Sequence, residues 1–141
     1  KIGAYLAGAS PAFVEEIAEY GLNLGIAFQM IDDVLDVVGH KELLGKPIGI
    51  DLRDGNPSLP IILAIRGGQR QVAEAFQSDH LTNEMIQATL KAIGQGSAID
   101  KTKNYSRSYA ELASKPIKKL PPSLYRNGLK TLVQLIVERN S

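Results

Sequence analysis

Residues 11–38 read PAFVEEIAEYGLNLGIAFQMIDDVLDVV, and this stretch decides the fold predicted for the chain. Its apolar side chains recur every three or four residues, the spacing of one helix face, at Phe13, Ile17, Tyr20, Leu24, Phe28, Ile31 and Leu35. Ser10 followed by Pro11 is typical of a helix start, and Gly39 is typical of a helix end. The stretch therefore predicts one helix about 40 Å long.

The remaining sequence predicts further helices and no sheet, because apolar and polar residues never alternate over more than four positions. Residues 39–58 contain six glycines and prolines and are predicted to form a loop, with one helical turn near 41–44. Helices are predicted over residues 58–75, 82–93, 97–113 and 123–139, with a linker over 115–122. Ser58 is expected to cap the first of these helices. The predicted fold class is all-α, a bundle of long helices.

The composition excludes several classes of protein. The chain has 141 residues, enough for one sizeable core, and no cysteine, which excludes a disulfide scaffold and a thiolate metal site. A net charge of +1 argues against a nucleic-acid partner, which requires a strong basic excess. No apolar run approaches the roughly 18 residues of a membrane span, and the first residues do not resemble a signal peptide. These features favour a cytoplasmic protein without a transmembrane segment.

Three aspartates lie near the end of the predicted long helix, at Asp32, Asp33 and Asp36. Asp32 and Asp36 are one turn apart and within about 40° of each other around the helix, with Asp33 beside them. Ionised carboxylates this close repel one another, and aspartate is a poor helix former, so the cluster costs stability unless a cation offsets it. Hard oxygen ligands at this spacing suit Mg²⁺ that also binds substrate phosphates. The alternative is a solvated acidic helix end.

A second stretch, GKPIGIDLRDG at residues 45–55, places a lysine in a loop punctuated by glycine. Lys46 follows the last aspartate by ten residues, so it could reach an anion that is held by metals on the helix. Lysine acts as a flexible point charge toward phosphate. Taken alone, Lys46 is better interpreted as an ordinary lysine of a surface loop.

Together the two stretches resemble the trans-isoprenyl diphosphate synthases, also called polyprenyl synthetases. Members of that family commonly carry FQxxDDxxD followed by GKPxGxDLxxGKxTLP. The first motif stands here at Phe28–Asp36 and the second at Gly45–Pro60. The C-terminal part is also similar, with Leu120-Pro121 before Ser123 and Arg126 in the last predicted helix. The resemblance covers essentially the whole chain.

The resemblance implies a bundle of long helices around a deep cavity, in which an allylic diphosphate is joined to isopentenyl diphosphate. Two aspartate-rich helices of such enzymes face each other and hold Mg²⁺ on the departing diphosphate. Apolar walls then shelter the carbocation from water. Family members are usually homodimers, so a homodimer is the implied assembly.

The resemblance also implies a role for particular residues. Asp32, Asp33 and Asp36 would bind Mg²⁺, with Asp32 the foremost candidate for a direct ligand. Lys46 would contact the allylic diphosphate, and Asp51 would lie near the site. Phe28 and Gln29 would line the substrate region, although each is equally well interpreted as a packing residue of the helix bundle.

The sequence departs from the family pattern in three ways. Asn56 stands where the family often has a second lysine, which removes a positive charge that would serve a secondary diphosphate contact but not the main one, and Ser58 stands where threonine is common. The family's first aspartate-rich motif does not occur between residues 1 and 141. We therefore expect the chain to be the C-terminal portion of a polyprenyl synthetase domain, with a helix at 11–38, a diphosphate-side loop at 39–58 and helices over 59–141. Such a portion would be active only with the missing N-terminal half.

Three other interpretations are less well supported. A non-catalytic partner subunit would have no need of a costly carboxylate cluster. A class I terpene cyclase shares DDxxD but usually adds a downstream NSE-type metal motif, which this sequence lacks. A calcium-binding loop would need alternating ligands and a terminal glutamate, which residues 32–39 lack.

Overall fold

The computed structural model describes residues 1–39, 47–78 and 80–139, and within these ranges the chain is helical and contains no strand. The helices are α1 (Ile2–Leu6), α2 (Pro11–Val38), α3 (Ile50–Asp54), α4 (Leu59–Arg66), α5 (Arg70–Phe76), α6 (Asn83–Gln95), α7 (Ala98–Ile117) and α8 (Leu124–Glu138). The all-α prediction is confirmed. No helix in this described part of the chain combines the length and apolar character needed to cross a bilayer.

The long helix α2 has the bounds that the sequence predicts, because its end signals are local. The Ser10 hydroxyl accepts a hydrogen bond from the Phe13 amide at 3.3 Å, as expected of a capping serine. At the other end, the Gly39 amide donates to the Leu35 carbonyl at 2.9 Å. The predicted buried face is less accurate, since Phe28 is 42% exposed. Two residues of the predicted face, Tyr20 and Ile31, are buried, and α2 also buries Val14, Ala27, Val34 and Val37.

The described helices contribute to two compact units, and the first comprises Lys1–Gln29 and Tyr105–Ser141. Its elements are joined by polar contacts between distant parts of the sequence. The Tyr20 hydroxyl donates to the Leu129 carbonyl at 3.3 Å, and the Ser106 hydroxyl donates to the Ala27 carbonyl at 2.9 Å. Apolar packing comes from buried residues of α7 and α8, namely Ala110, Ala113, Ile117, Val133 and Ile136. Burial of this apolar surface supplies the main driving force for the unit.

The second unit comprises Met30–Asn104 and contains a continuous hydrophobic core. Helices α4, α5 and α6 pack on one another within it. Its core residues are Val34, Val37, Leu52, Ile61, Ala64, Val72, Ile86, Leu90, Ile93, Ala98 and Ile99. The predicted buried face of α6 is confirmed, since Ile86, Leu90 and Ile93 are at most 5% exposed.

Three helix boundaries differ from the sequence prediction. The helix predicted over 58–75 is broken at Gly67 and Gly68, because Gly68 adopts the left-handed φ of +85°. The predicted 39–58 loop contains the helix α3, and the helical turn expected near 41–44 lies outside the described residues. Helix α7 continues through Pro116 to Ile117 instead of ending at 113, since both of these residues are buried.

Gly49, which precedes α3, has a φ of +74° and faces the core of the second unit. A Cβ atom there would lie 2.8 Å from Ile86 Cγ2 and 2.9 Å from Leu90 Cδ1. We expect Gly49→Ala to lower the free energy of unfolding by about 3 kcal/mol, through left-handed strain and overpacking together. Urea denaturation of the chain would measure this loss.

Gly55 provides the matched control for this prediction, because its φ is +70° but no atom in the described ranges lies within 4 Å of a Cβ placed there. Gly55→Ala should therefore cost only the backbone strain, about 1 kcal/mol. Equal losses in the two variants would show that the contacts with Ile86 and Leu90 do not matter.

Candidate functional site

The three aspartates of α2 all lie in its last two turns but differ in their surroundings. Asp36 is 6% exposed, which is unusual for a carboxylate, whereas Asp32 and Asp33 are half-buried. A buried carboxylate must be compensated by hydrogen bonds or by a cation. The hydrogen-bond partners of each carboxylate therefore determine how far it can also bind a cation.

Asp36 accepts hydrogen bonds from three consecutive backbone amides at the start of α3. Its Oδ1 accepts from the Ile50 amide at 3.1 Å, and its Oδ2 accepts from the Asp51 amide at 3.0 Å. Its own backbone carbonyl accepts from the Gly49 amide at 2.8 Å. Free amides at a helix start carry partial positive charge, so a carboxylate there is favourable. Asp36 thus fixes α3 against the end of α2.

Asp33 performs a related function at the start of α4. Its Oδ2 accepts a hydrogen bond from the Leu59 amide at 3.1 Å. Ser58 occupies the N-cap position, but its hydroxyl makes no cap hydrogen bond, so the prediction that Ser58 caps this helix is wrong. Pro60 stands at the second helical position and has no amide to donate to the Ser58 hydroxyl, and the Leu59 amide is bonded by a carboxylate from another helix.

Helix α3 brings Asp51 near Asp33 and Asp36. Partial burial raises the pKa of the Asp51 carboxyl above its ordinary value, and the negative charges of Asp36 and Asp33 raise it further. The side chains of Asn56 and Ser58 act in the opposite direction. The structure therefore assembles Asp33, Asp36 and Asp51 into one region of concentrated negative charge.

The carboxylates of this region are the type of ligand that a divalent ion requires. Their existing hydrogen bonds, however, use part of their capacity to bind one. Carboxylate oxygens are the hard ligands that Mg²⁺ and Ca²⁺ prefer. However, both side-chain oxygens of Asp36 accept backbone hydrogen bonds, and one oxygen of Asp33 does. Within residues 1–39, 47–78 and 80–139, no three or more acidic, histidine or cysteine side chains are already gathered in positions that could hold a metal ion.

The other candidate residues fall into two groups. Lys46 lies outside the described residues. Phe28 and Gln29 belong to the first unit, where the Arg139 guanidinium lies 5.4 Å from the centre of the Phe28 ring. This separation is within the range of a cation–π contact. The contact involving Arg139 was not predicted, because the sequence motif contains no signal for a partner more than 100 residues away.

Phe28 also borders a groove of about 450 Å³ in the first unit. The groove is lined mainly by apolar side chains and glycines of α2 and α8, among them Gly21, Leu24, Gly25, Leu132 and Leu135. A Cβ atom at Gly21 or Gly25 would lie more than 4 Å from every described residue outside its own turn of α2. The two glycines therefore leave open space along this face of α2.

Comparison with known proteins identifies the family to which this chain belongs. The family model described as "Polyprenyl synthetase" matches residues 1–93, which is more than half of the chain. The chain belongs to the polyprenyl synthetase family, as the motifs predict.

The individual proteins to which the chain is similar are also prenyl diphosphate synthases. An octaprenyl diphosphate synthase of Haemophilus influenzae is 36% identical over 97% of this chain and 43% of its own length. A polyprenyl synthase of Caulobacter crescentus, crystallised with calcium and isoprenyl diphosphate, matches with a TM-score of 0.88 and 36% identity over 99% of this chain and 44% of its own. A geranylgeranyl pyrophosphate synthase of Corynebacterium glutamicum, crystallised with isoprenyl diphosphate and magnesium, matches with a TM-score of 0.84 and 26% identity over 97% and 40%. The chain thus spans about two fifths of the length of these relatives.

Proposed function

We propose that the protein to which this chain belongs is a trans-isoprenyl diphosphate synthase of isoprenoid biosynthesis. It would join an allylic diphosphate to isopentenyl diphosphate in a reaction that requires Mg²⁺. The observation that carries this proposal is the group of carboxylates at the end of α2 in a chain of the polyprenyl synthetase family. The Caulobacter and Corynebacterium relatives, crystallised with a divalent ion and isoprenyl diphosphate, support it.

Asp32 is the proposed direct ligand of Mg²⁺, with Asp33 and Asp36 as the other carboxylates of the cluster. The bound ion would neutralise negative charge on the departing diphosphate. The hydrogen bonds that Asp33 and Asp36 make to α4 and α3 hold the end of α2 against these helices. Such contacts between neighbouring residues orient a metal ligand and are worth about 10- to 100-fold in metal affinity.

Four further residues complete the proposed site. Lys46 would contact the allylic diphosphate as a point charge, and Asp51 would contribute negative charge beside the metal-binding cluster. Phe28 and Gln29 would lie along the prenyl chain. An aromatic ring there would exclude water from a carbocation.

The chain alone is proposed to bind Mg²⁺ and diphosphate at most weakly, since it spans about two fifths of its relatives. Turnover would require the remaining part of the fold, in a cytoplasmic homodimer. A non-catalytic partner subunit remains the second candidate function, because the backbone hydrogen bonds of Asp33 and Asp36 supply a structural reason to keep these carboxylates.

A chimera tests the proposed function. This chain would replace the matching 43% of the Haemophilus octaprenyl diphosphate synthase. We expect the folded chimera, but not the chain alone, to incorporate labelled isopentenyl diphosphate into prenyl products when Mg²⁺ is added. A chimera with a cooperative unfolding transition but no Mg²⁺-dependent product would refute the enzymatic proposal and favour the partner subunit.

A further inference from the structure

The start of α8 exposes two large apolar side chains side by side. Leu124 is 86% exposed and Tyr125 is 88% exposed, the highest values among the large apolar residues that the structure describes. The helix start is well held, since the Ser123 hydroxyl accepts a hydrogen bond from the Arg126 amide at 3.1 Å. Neighbouring exposed apolar residues at a fixed position indicate a contact surface more strongly than scattered ones do.

The same segment carries a concentrated positive charge. Residues 115–130 contain five basic residues, Lys115, Lys118, Lys119, Arg126 and Lys130, and no acidic residue. Lys119 forms a 2.8 Å ion pair with Glu16, which offsets one of these charges. Lys118 and Lys130 are exposed, and neither forms an ion pair with any residue in the described ranges. We call residues 115–130 the basic tip.

We propose that the basic tip binds the surface of an anionic lipid bilayer. Leu124 and Tyr125 would enter the boundary between headgroups and acyl chains, where amphipathic aromatic side chains are favoured. The exposed lysines would contact anionic headgroups, each adding to the attraction. Binding of a protein segment to a bilayer surface grows with the apolar area that it buries and with its attraction to anionic lipids, and the basic tip offers both.

A lipid surface fits these residues better than a protein partner does. Protein interfaces are depleted of lysine, whereas lysine next to exposed apolar side chains is typical of membrane-surface segments. This inference goes beyond the proposed prenyl transfer and does not depend on it. A vesicle-binding assay requires no diphosphate substrate, so its failure would leave the proposed function untouched.

Co-sedimentation with vesicles tests the proposal directly. We expect the chain to bind vesicles of phosphatidylcholine and phosphatidylserine at low salt, to release them at high salt, and not to bind pure phosphatidylcholine. The same binding is expected of the chimera described above. Binding that ignores phosphatidylserine, or a chimera that does not bind, would overturn the proposal, the latter because the surface would then lie inside the complete fold.

Paired variants separate the two signals. Lys118→Gln with Lys130→Gln should weaken binding roughly fivefold for each lysine removed. Lys91→Gln with Lys101→Gln removes the same charge from exposed positions outside the basic tip and should weaken it much less. If the two pairs weakened binding equally, the net charge of the chain alone would drive binding, and the proposal that the basic tip is the binding surface would be wrong.

Leu124→Ser tests the apolar signal, with Leu22→Ser as its control, since Leu22 is 64% exposed in α2. Only Leu124→Ser should reduce vesicle binding, and both variants should keep the circular dichroism and melting temperature of the parent chain. Analytical ultracentrifugation provides the remaining check. Self-association that Leu124→Ser abolishes would assign this surface to a second copy of the chain and overturn the lipid proposal.

Discussion

Asp32→Asn is expected to lower the Mg²⁺-dependent turnover of the chimera at least about 100-fold. The substitution keeps the size of the side chain but removes the negative charge that attracts a divalent ion. Asp32 is the half-buried carboxylate at the start of a cluster in which Asp36 already bonds two backbone amides. A loss of this size corresponds to removal of a principal electrostatic contact of the transition state.

The matched control for Asp32 is Asp54→Asn, which removes the same charge from an exposed residue at the end of α3. This control should leave turnover within about twofold of the parent, since exposed charges are strongly screened. A second measurement distinguishes ligand loss from misfolding: raising Mg²⁺ should partly restore turnover in Asp32→Asn. Unchanged activity in this variant would exclude Asp32 as a metal ligand.

Asp36→Ala is expected to lower the free energy of unfolding of the chain by about 3 kcal/mol. The substitution leaves the Ile50 and Asp51 amides without their carboxylate partner at distances of 3.1 and 3.0 Å. Because Asp36 is only 6% exposed, water cannot fully replace it. The urea midpoint should fall by roughly 1–2 M.

Asp54→Ala serves again as the exposed comparison and should change stability by less than about 0.5 kcal/mol. The Asp36→Asn variant adds a finer test. Its amide retains one acceptor oxygen, so its stability should lie between those of the parent and Asp36→Ala. Parent-like stability in Asp36→Ala would show that the bonds to α3 contribute nothing net.

The parts of the fold that were predicted correctly depend on local signals. Helix α2 was predicted at its observed bounds, and α8 to within a residue, because Ser10 and Ser123 cap their own helices three residues ahead. The break at Gly67 and Gly68 was missed because glycine is tolerated inside a helix pattern, and only the left-handed φ of Gly68 ends it. The buried face of α2 was predicted poorly because apolar residues lie on several sides of that helix.

The sequence predicted that carboxylates would lie together at the end of α2, but not which contacts they make. Spacing alone predicted Asp32, Asp33 and Asp36 as one cluster, and the structure places Asp33 and Asp36 near Asp51. It could not show that Asp33 bonds the Leu59 amide and Asp36 bonds the Ile50 amide, because these partners lie 26 and 14 residues away. A side chain that bonds the start of a remote helix leaves no short-range signature, so the contact of Asp33 with α4 was not predicted, and Ser58 was expected to cap that helix although its hydroxyl makes no cap hydrogen bond.

The double use of the carboxylates has a consequence for mutational scanning. Because Asp33 and Asp36 bond the starts of α4 and α3, variants at these positions lose folded protein as well as any metal affinity. A selection that measures growth or product yield would not separate the loss of folded protein from the loss of metal affinity. It would therefore overestimate how much these aspartates contribute to catalysis. Abundance measured in parallel would separate them: we expect Asp36 to rank high on abundance and Asp32 to rank high only on activity per folded molecule.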